Sequence, residues 1–400
     1  MTTPEAQAPV PAKRPPHGLG RRAFLVISSP RLAIALLVAV LACCVAGVTV
    51  LTPEPAWRLI FNTVWFNGLL SLLAMSSGLT FFGRIWGRKL TLISVGMIVF
   101  HVSFMAMLGG VVFNSLFHFR GVLRLTEGET LPNGLPESYD TIDTGRFFDF
   151  SRLHGETTLL AMHRDYKVDG QDKRAAYEIA VGEGADKVTA TIYMTQNLDH
   201  GGVRYLVSKE GYSIGVVLHD RRGEEIYAAM VPLQSLPRGK EAYLYTTGSS
   251  TEPGSFMFPP PPAPTALVLQ VGYVPDQKED RAGQVEFFTW KPDGPVAAPQ
   301  ATGAGHQSAP GATRPAASGK VPVGGVFDAG EFKLEAREVR YWVGMTVRRD
   351  PGLMVILTSL WAGLAGMTMT FVGRIWQDAR REKRAAAGER PATTEPRGIP

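Results

Sequence analysis

Four long apolar runs interrupt an otherwise polar chain: Leu32–Leu51, Val64–Phe82, Leu90–Phe113 and Leu353–Val372. Each is long enough to cross a hydrocarbon layer of ~30 Å as a helix. The third run contains no Asp, Glu, Lys or Arg, and His101 near its middle is its one titratable side chain. Between the third and fourth runs the pattern changes. Short stretches with alternating apolar and polar positions recur, among them Val122–Leu125, Thr157–Met162, Ser213–Leu218, Glu225–Met230 and Gln284–Trp290, and Gly, Asp, Asn and Pro separate them. That is a strand-and-turn pattern. The chain therefore reads as a polytopic α+β membrane protein, with four transmembrane helices and a large β-rich domain between helices three and four.

The same pattern divides the chain. Residues 1–27 are Pro- and Ala-rich and are expected to be disordered. Residues 28–119 carry helices one to three, 120–291 the β-rich domain, and 326–350 its return segment. Residues 292–325 are rich in Pro, Ala and Gly, and are expected to form a flexible insertion because they bury too little to offset their ordering entropy. Helix four occupies 351–376, and 377–400 is expected to be a disordered tail.

Charge then orients the helices. The net charge is +5, and much of the basic excess flanks the apolar runs. Lys13, Arg14, Arg21, Arg22 and Arg31 precede the first. Arg84, Arg88 and Lys89 join the second to the third. Arg374, Arg380, Arg381, Lys383 and Arg384 follow the fourth, whereas the loop between the first two holds only Arg58. The positive-inside rule places both termini in the cytoplasm and the β-rich domain outside, in a plasma or inner membrane. The second run ends Gly83-Arg84-Ile85-Trp86 and the fourth Gly373-Arg374-Ile375-Trp376, equivalent anchors for one interface. No nucleic-acid module accompanies the basic residues.

Arg21-Arg22 imitates a twin-arginine signal and Val40-Leu41-Ala42-Cys43 a lipoprotein box, but Leu41 is bulky for cleavage and further spans follow. An uncleaved first span is the better reading. Cys43 and Cys44 are the only cysteines. Adjacent thiols in an apolar run suit small buried residues better than redox chemistry, and the chain has no Cys-x-x-Cys. No nucleophile triad, phosphate loop or paired-carboxylate motif stands out, and the tryptophans are dispersed.

An imidazole within a membrane helix faces a partner, a cavity or a metal, or is hydrogen-bonded across a helix interface for packing. His101 is open to both readings. His118 lies seventeen residues further on, and a continuous helix would separate the two by ~26 Å, too far to flank one metal. His118 reads as interfacial. Arg120, Arg124, Arg348 and Arg349 are expected near the outer membrane face, against lipid headgroups or another anion.

Several stretches carry a resemblance. His101 followed by Gly109, the run Gly121–Glu129 of the form GxLxLxEGE, Trp65–Leu70, Ser28–Ile34 and Tyr341–Gly352 together resemble the ResB-like family of c-type cytochrome biogenesis. Two features depart from its pattern: the first loop is short, and Ser76–Leu79 stand where a cysteine is often found. The resemblance implies a component that helps move haem outward and present it to apocytochrome c, beside a membrane partner of the ResC/CcsA type. It implies a non-catalytic subunit of a haem lyase (cytochrome c synthetase) complex. It also implies transient haem b shared with that partner, with His101 as axial ligand and His118, Arg120 and Arg124 near its propionates. The rival from another class is a membrane scaffold or sensor whose outer domain binds another protein, with His101 merely structural.

Overall fold

The computed structural model describes residues 24–85, 90–238, 242–249, 251–276, 278–292 and 315–386. Two compact units emerge, Met1–Phe117 with Pro351–Pro400, and His118–Asp350. Expectations for residues 1–23, 86–89, 293–314 and 387–400 lie outside the described residues.

The first unit holds four helices long and apolar enough to cross a membrane. They are α1 (Pro30–Thr49), α2 (Val64–Ile85), α3 (Leu92–Phe117) and α4 (Leu353–Ala386). Leu36, Phe66, Leu70, Leu73 and Leu108 form a small core shared by α1, α2 and α3, and Cys43 and Cys44 pack against it as free thiols. Most other apolar side chains of α1 and α4 are exposed, as lipid-facing helices require. Polar contacts join the helices inside: Asn67 Nδ2 donates to Ser115 Oγ at 2.8 Å, linking α2 to α3. The closest approach is between α3 and α4, where a Cβ on Gly96 would sit 2.7 Å from the Gly366 carbonyl oxygen. Small residues at such a crossing let two backbones meet.

Three boundaries differ from the sequence reading. Residues 24–27 are helical, because Ser76 and Thr80 of α2 donate to the carbonyls of Ile27 and Ser28 and hold this turn. Helix α3 runs on to Phe117, and α4 continues past 376 to Ala386. The added turns of α4 contain Ala, Arg, Glu, Lys and Gln with neither Gly nor Pro, so helix propensity persists after the apolar run ends.

The second unit is built from antiparallel strands. The principal ones are β1 (Phe119–Thr126), β2 (Tyr139–Thr144), β3 (Glu156–Arg164), β4 (Ala175–Gly182), β5 (Val188–Ile192), β6 (Val203–His219) and β7 (Glu225–Pro232). They continue with β8 (Gln234–Arg238), β9 (Ala242–Thr246), β10 (Leu267–Pro275), β11 (Gly283–Trp290), β12 (Ala317–Pro322) and β13 (Lys333–Arg349). The largest sheet runs β7–β6–β13–β1–β2, a second β8–β9–β10–β11–β12, and a third joins β3, β4 and β5. One continuous core serves this unit, with Phe119, Leu123, Leu125, Ile214, Leu269 and Val343 fully buried. Each such side chain contributes roughly 1.5–3 kcal/mol of transfer free energy.

Strand β12 corrects the expectation that 292–325 is wholly flexible. Its own residues alternate weakly, with no large apolar run. Register with β11, from Gln284↔Pro322 to Thr289↔Ala317, supplies the order that composition does not.

Candidate functional site

His101 sits on α3 among apolar neighbours. Met97 lies one turn earlier, and its carbonyl is 2.8 Å from His101 Nδ1. A carbonyl only accepts, so Nδ1 carries the proton and, in the neutral ring, Nε2 keeps its lone pair. The ring is stacked on Phe81 of α2, with centroids 3.8 Å apart and planes 10° apart. Phe100 meets it edge-on at 5.3 Å. Backbone and aromatic contacts thus fix both tautomer and ring plane, as the outer partners of metal-bound histidines do.

The other three sequence-derived residues belong to the β-rich unit. His118 follows the last residue of α3 and is 3% exposed. Its Nε2 lies 3.6 Å from Asp143 Oδ1, and its carbonyl accepts from Gly145 N–H. His118 leads from α3 into β1, which starts at the next residue. Arg124 pairs with Asp140 at 2.5 Å, and its guanidinium stands 5.3 Å from the centre of the Trp342 ring. Arg120 is exposed on β1 and lies in register with Arg348 and Asp143.

Register adds residues that sequence reasoning passed over. Arg348 is also opposite Arg204 of β6, so Arg204, Arg348 and Arg120 form one cross-strand row on the exposed face. Arg204 is held by Asp199 at 2.6 Å and Arg348 by Asp350 at 2.8 Å. The alternation of β6 marks Arg204 as outward-facing, but nothing local reveals its neighbours.

The GxLxLxEGE run also acquires a physical role. Glu127 is 7% exposed. Its carboxylate accepts from the backbone N–H of Met162 at 2.8 Å and of Tyr341 at 3.2 Å, and pairs with Arg281 at 3.1 Å. Gly128, at φ +83°, takes the left-handed turn that a side chain would strain. Glu129 Oε2 then accepts from Thr126 N–H at 2.7 Å. The motif ties β1 to β3 and β13. The start of α4 is tied in turn: Gly352 N–H donates to Asn114 Oδ1 at 3.2 Å.

Among the described residues no group of three or more His, Cys, Asp and Glu side chains could hold a metal ion. Residues 83–390 match the ResB-like family. The chain belongs to the ResB-like family. The match contains α3, the β-rich unit and α4, and begins after nearly all of α2, so the motifs near Ser28 and Trp65 lie outside it. A search of curated proteins finds no match.

Proposed function

We propose that this ResB-like protein is a component of a membrane complex for c-type cytochrome biogenesis, helping to export haem and present it to apocytochrome c. The observation that supports this most is the Met97 carbonyl on His101 Nδ1. It leaves Nε2 as the nitrogen that could ligate iron. Neutral imidazole is a good axial ligand, and haem supplies its own four equatorial nitrogens. Phe81 would hold the ring plane. His118 and Arg124 already have partners within the β-rich unit and would serve to position β1 there. A second axial ligand would come from a partner of the ResC/CcsA type. In this reading both termini are cytoplasmic and the β-rich unit lies outside, since the basic residues flank the cytoplasmic ends of the helices.

A second reading is favoured by the Phe81 stack itself, which could serve packing alone in a scaffold or sensor. Haem content separates the two. The His101→Ala protein, purified with its membrane partner, is expected to lose haem or change its absorption spectrum, and to stop cytochrome maturation at unchanged protein level. A His101→Ala complex with wild-type haem content and spectrum would sink the proposal and leave packing.

A further inference from the structure

A cavity of about 320 Å³ opens in the β-rich unit, with walls from all three large sheets. Arg164 ends β3, Tyr212 lies on β6 and Tyr341 on β13. Ser235 of β8 and Tyr245 of β9 face them, and Arg174 reaches in from the turn before β4. None of these residues enters the proposed handling of haem.

The two arginines are held in different ways. The Arg164 guanidinium stands 4.9 Å from the centre of the Tyr341 ring and 5.5 Å from that of Tyr212. Its Nη2 donates to the Tyr212 hydroxyl at 2.9 Å. Both rings thus lie beside the guanidinium, and that bond engages one of its five N–H donors. Arg174 has φ +63°, a backbone region that non-glycine residues rarely adopt. Its N–H donates to Asp172 Oδ1 at 2.7 Å, which holds that conformation in place. Among the described residues neither guanidinium makes an ion pair with a carboxylate.

One acid lines the same cavity. Glu210 accepts from the Tyr177 hydroxyl; withdrawal from water pushes its carboxyl upward, and the charges of Arg164 and Arg174 oppose that shift. Two guanidiniums thus share one carboxyl, which leaves one positive charge in excess in the cavity. Planar forks match the two oxygens of a carboxylate, and the hydroxyls of Ser235, Tyr212 and Tyr245 offer further donors. The volume is at the small end for ligand sites, enough for a compact acid or the end of one chain.

We infer that this cavity is a carboxylate-binding site, taking a monoanionic carboxylate carried either by a small free acid or by a peptide C-terminus. The test uses the full chain in lipid nanodiscs, with empty nanodiscs as the blank, and saturation-transfer NMR as the readout. The probes are benzoate and benzamide, and tetra-alanine with a free or an amidated C-terminus. At least one carboxylate is expected to saturate, with its amide about tenfold weaker or more. Arg164→Gln and Arg174→Gln are each expected to weaken binding by about tenfold. Arg164→Lys keeps the charge but loses the fork, and is expected to fall between. Tighter binding of the peptide assigns the site to chain ends, and tighter binding of benzoate assigns it to free acids. Melting curves check that the variants fold. Arg174 lies on an exposed turn, so its variant retains the test if Arg164→Gln fails to fold. Equal binding of acid and amide would overturn the inference. So would a folded Arg174→Gln protein that binds like the wild type, or inorganic phosphate binding more tightly than either carboxylate.

Discussion

Arg120 and Arg348 stand directly opposite each other across β1 and β13, and Arg204 continues the row on β6. Like charges facing across a sheet are unfavourable unless something neutralises them. Arg348 and Arg204 have aspartate partners, Asp350 and Asp199. Arg120 is three residues past the end of α3, and the row's β13 member is five residues before α4. The arginine row thus stands beside the two points where the chain passes between units.

This separates the two arginines proposed for anion contact. Arg120→Gln is expected to change the stability of the β-rich unit by less than about 0.5 kcal/mol. Arg124→Gln removes the Asp140 ion pair and the Trp342 contact, and is expected to cost about 1–3 kcal/mol. Thermal unfolding of the full chain checks the contrast. Equal losses of stability would mean that Arg120 is as structural as Arg124.

Glu127 is expected to be the most sensitive polar position of the β-rich unit. Glu127→Ala strands two backbone N–H groups and the Arg281 guanidinium, with an expected cost of about 3–5 kcal/mol. Limited proteolysis should then cut within His118–Asp350 at temperatures where the wild type resists. A variant as resistant as the wild type would show that water replaces the carboxylate at little cost.

The α3/α4 crossing predicts a second contrast. Gly366→Leu places a side chain where a Cβ alone would lie 2.7 Å from the Phe100 backbone nitrogen, whereas a Cβ on Gly68 meets nothing within 4 Å. Size-exclusion profiles in detergent should lose their monodisperse peak for Gly366→Leu and keep it for Gly68→Leu. Two identical profiles would mean that the helices can separate without loss.

A pH effect follows from Glu335. The hydrogen bond from His219 Nε2 at 2.9 Å, followed by one from Arg337, holds its carboxyl below the ordinary 4.5. A lowered folded-state value gives stability that is in place above the unfolded value and is lost as pH falls through the folded one. Glu335→Gln is therefore expected to lower the melting temperature at pH 7 and to narrow its gap from the wild type below pH ~4. A gap that stays constant from pH 7 to pH 3 would assign the effect to packing.

Much of the architecture is legible in the order of residues. Four runs without internal charge announce α1 to α4, since a membrane helix must satisfy its backbone within one segment. Alternation and turn residues announce strands between α3 and α4. His101 stands out because a titratable ring among apolar neighbours is costly wherever the helix packs. These are local properties, set by composition and by periods of a few residues. The ends of elements were harder to read. Helix α4 runs on past its apolar stretch through residues of high helix propensity, and β12 is a strand because β11 pairs with it.

What only the tertiary structure decided is pairing between distant residues. Strand alternation turns Arg120, Arg204 and Arg348 outward, but register sets them in one row, from segments separated by many tens of residues. Glu127 looks like a solvated turn acid until β3 brings Met162 N–H to it and β13 brings Tyr341 N–H. Arg164, Arg174 and the tyrosines come from strands of three sheets, and no period in the chain relates them. Among the proposed site residues the sequence by itself determined the helix that carries His101. The proton on Nδ1 and the Phe81 face were decided by folding, because a hydrogen bond and a ring stack depend on angles and distances that a spacing of residues does not contain.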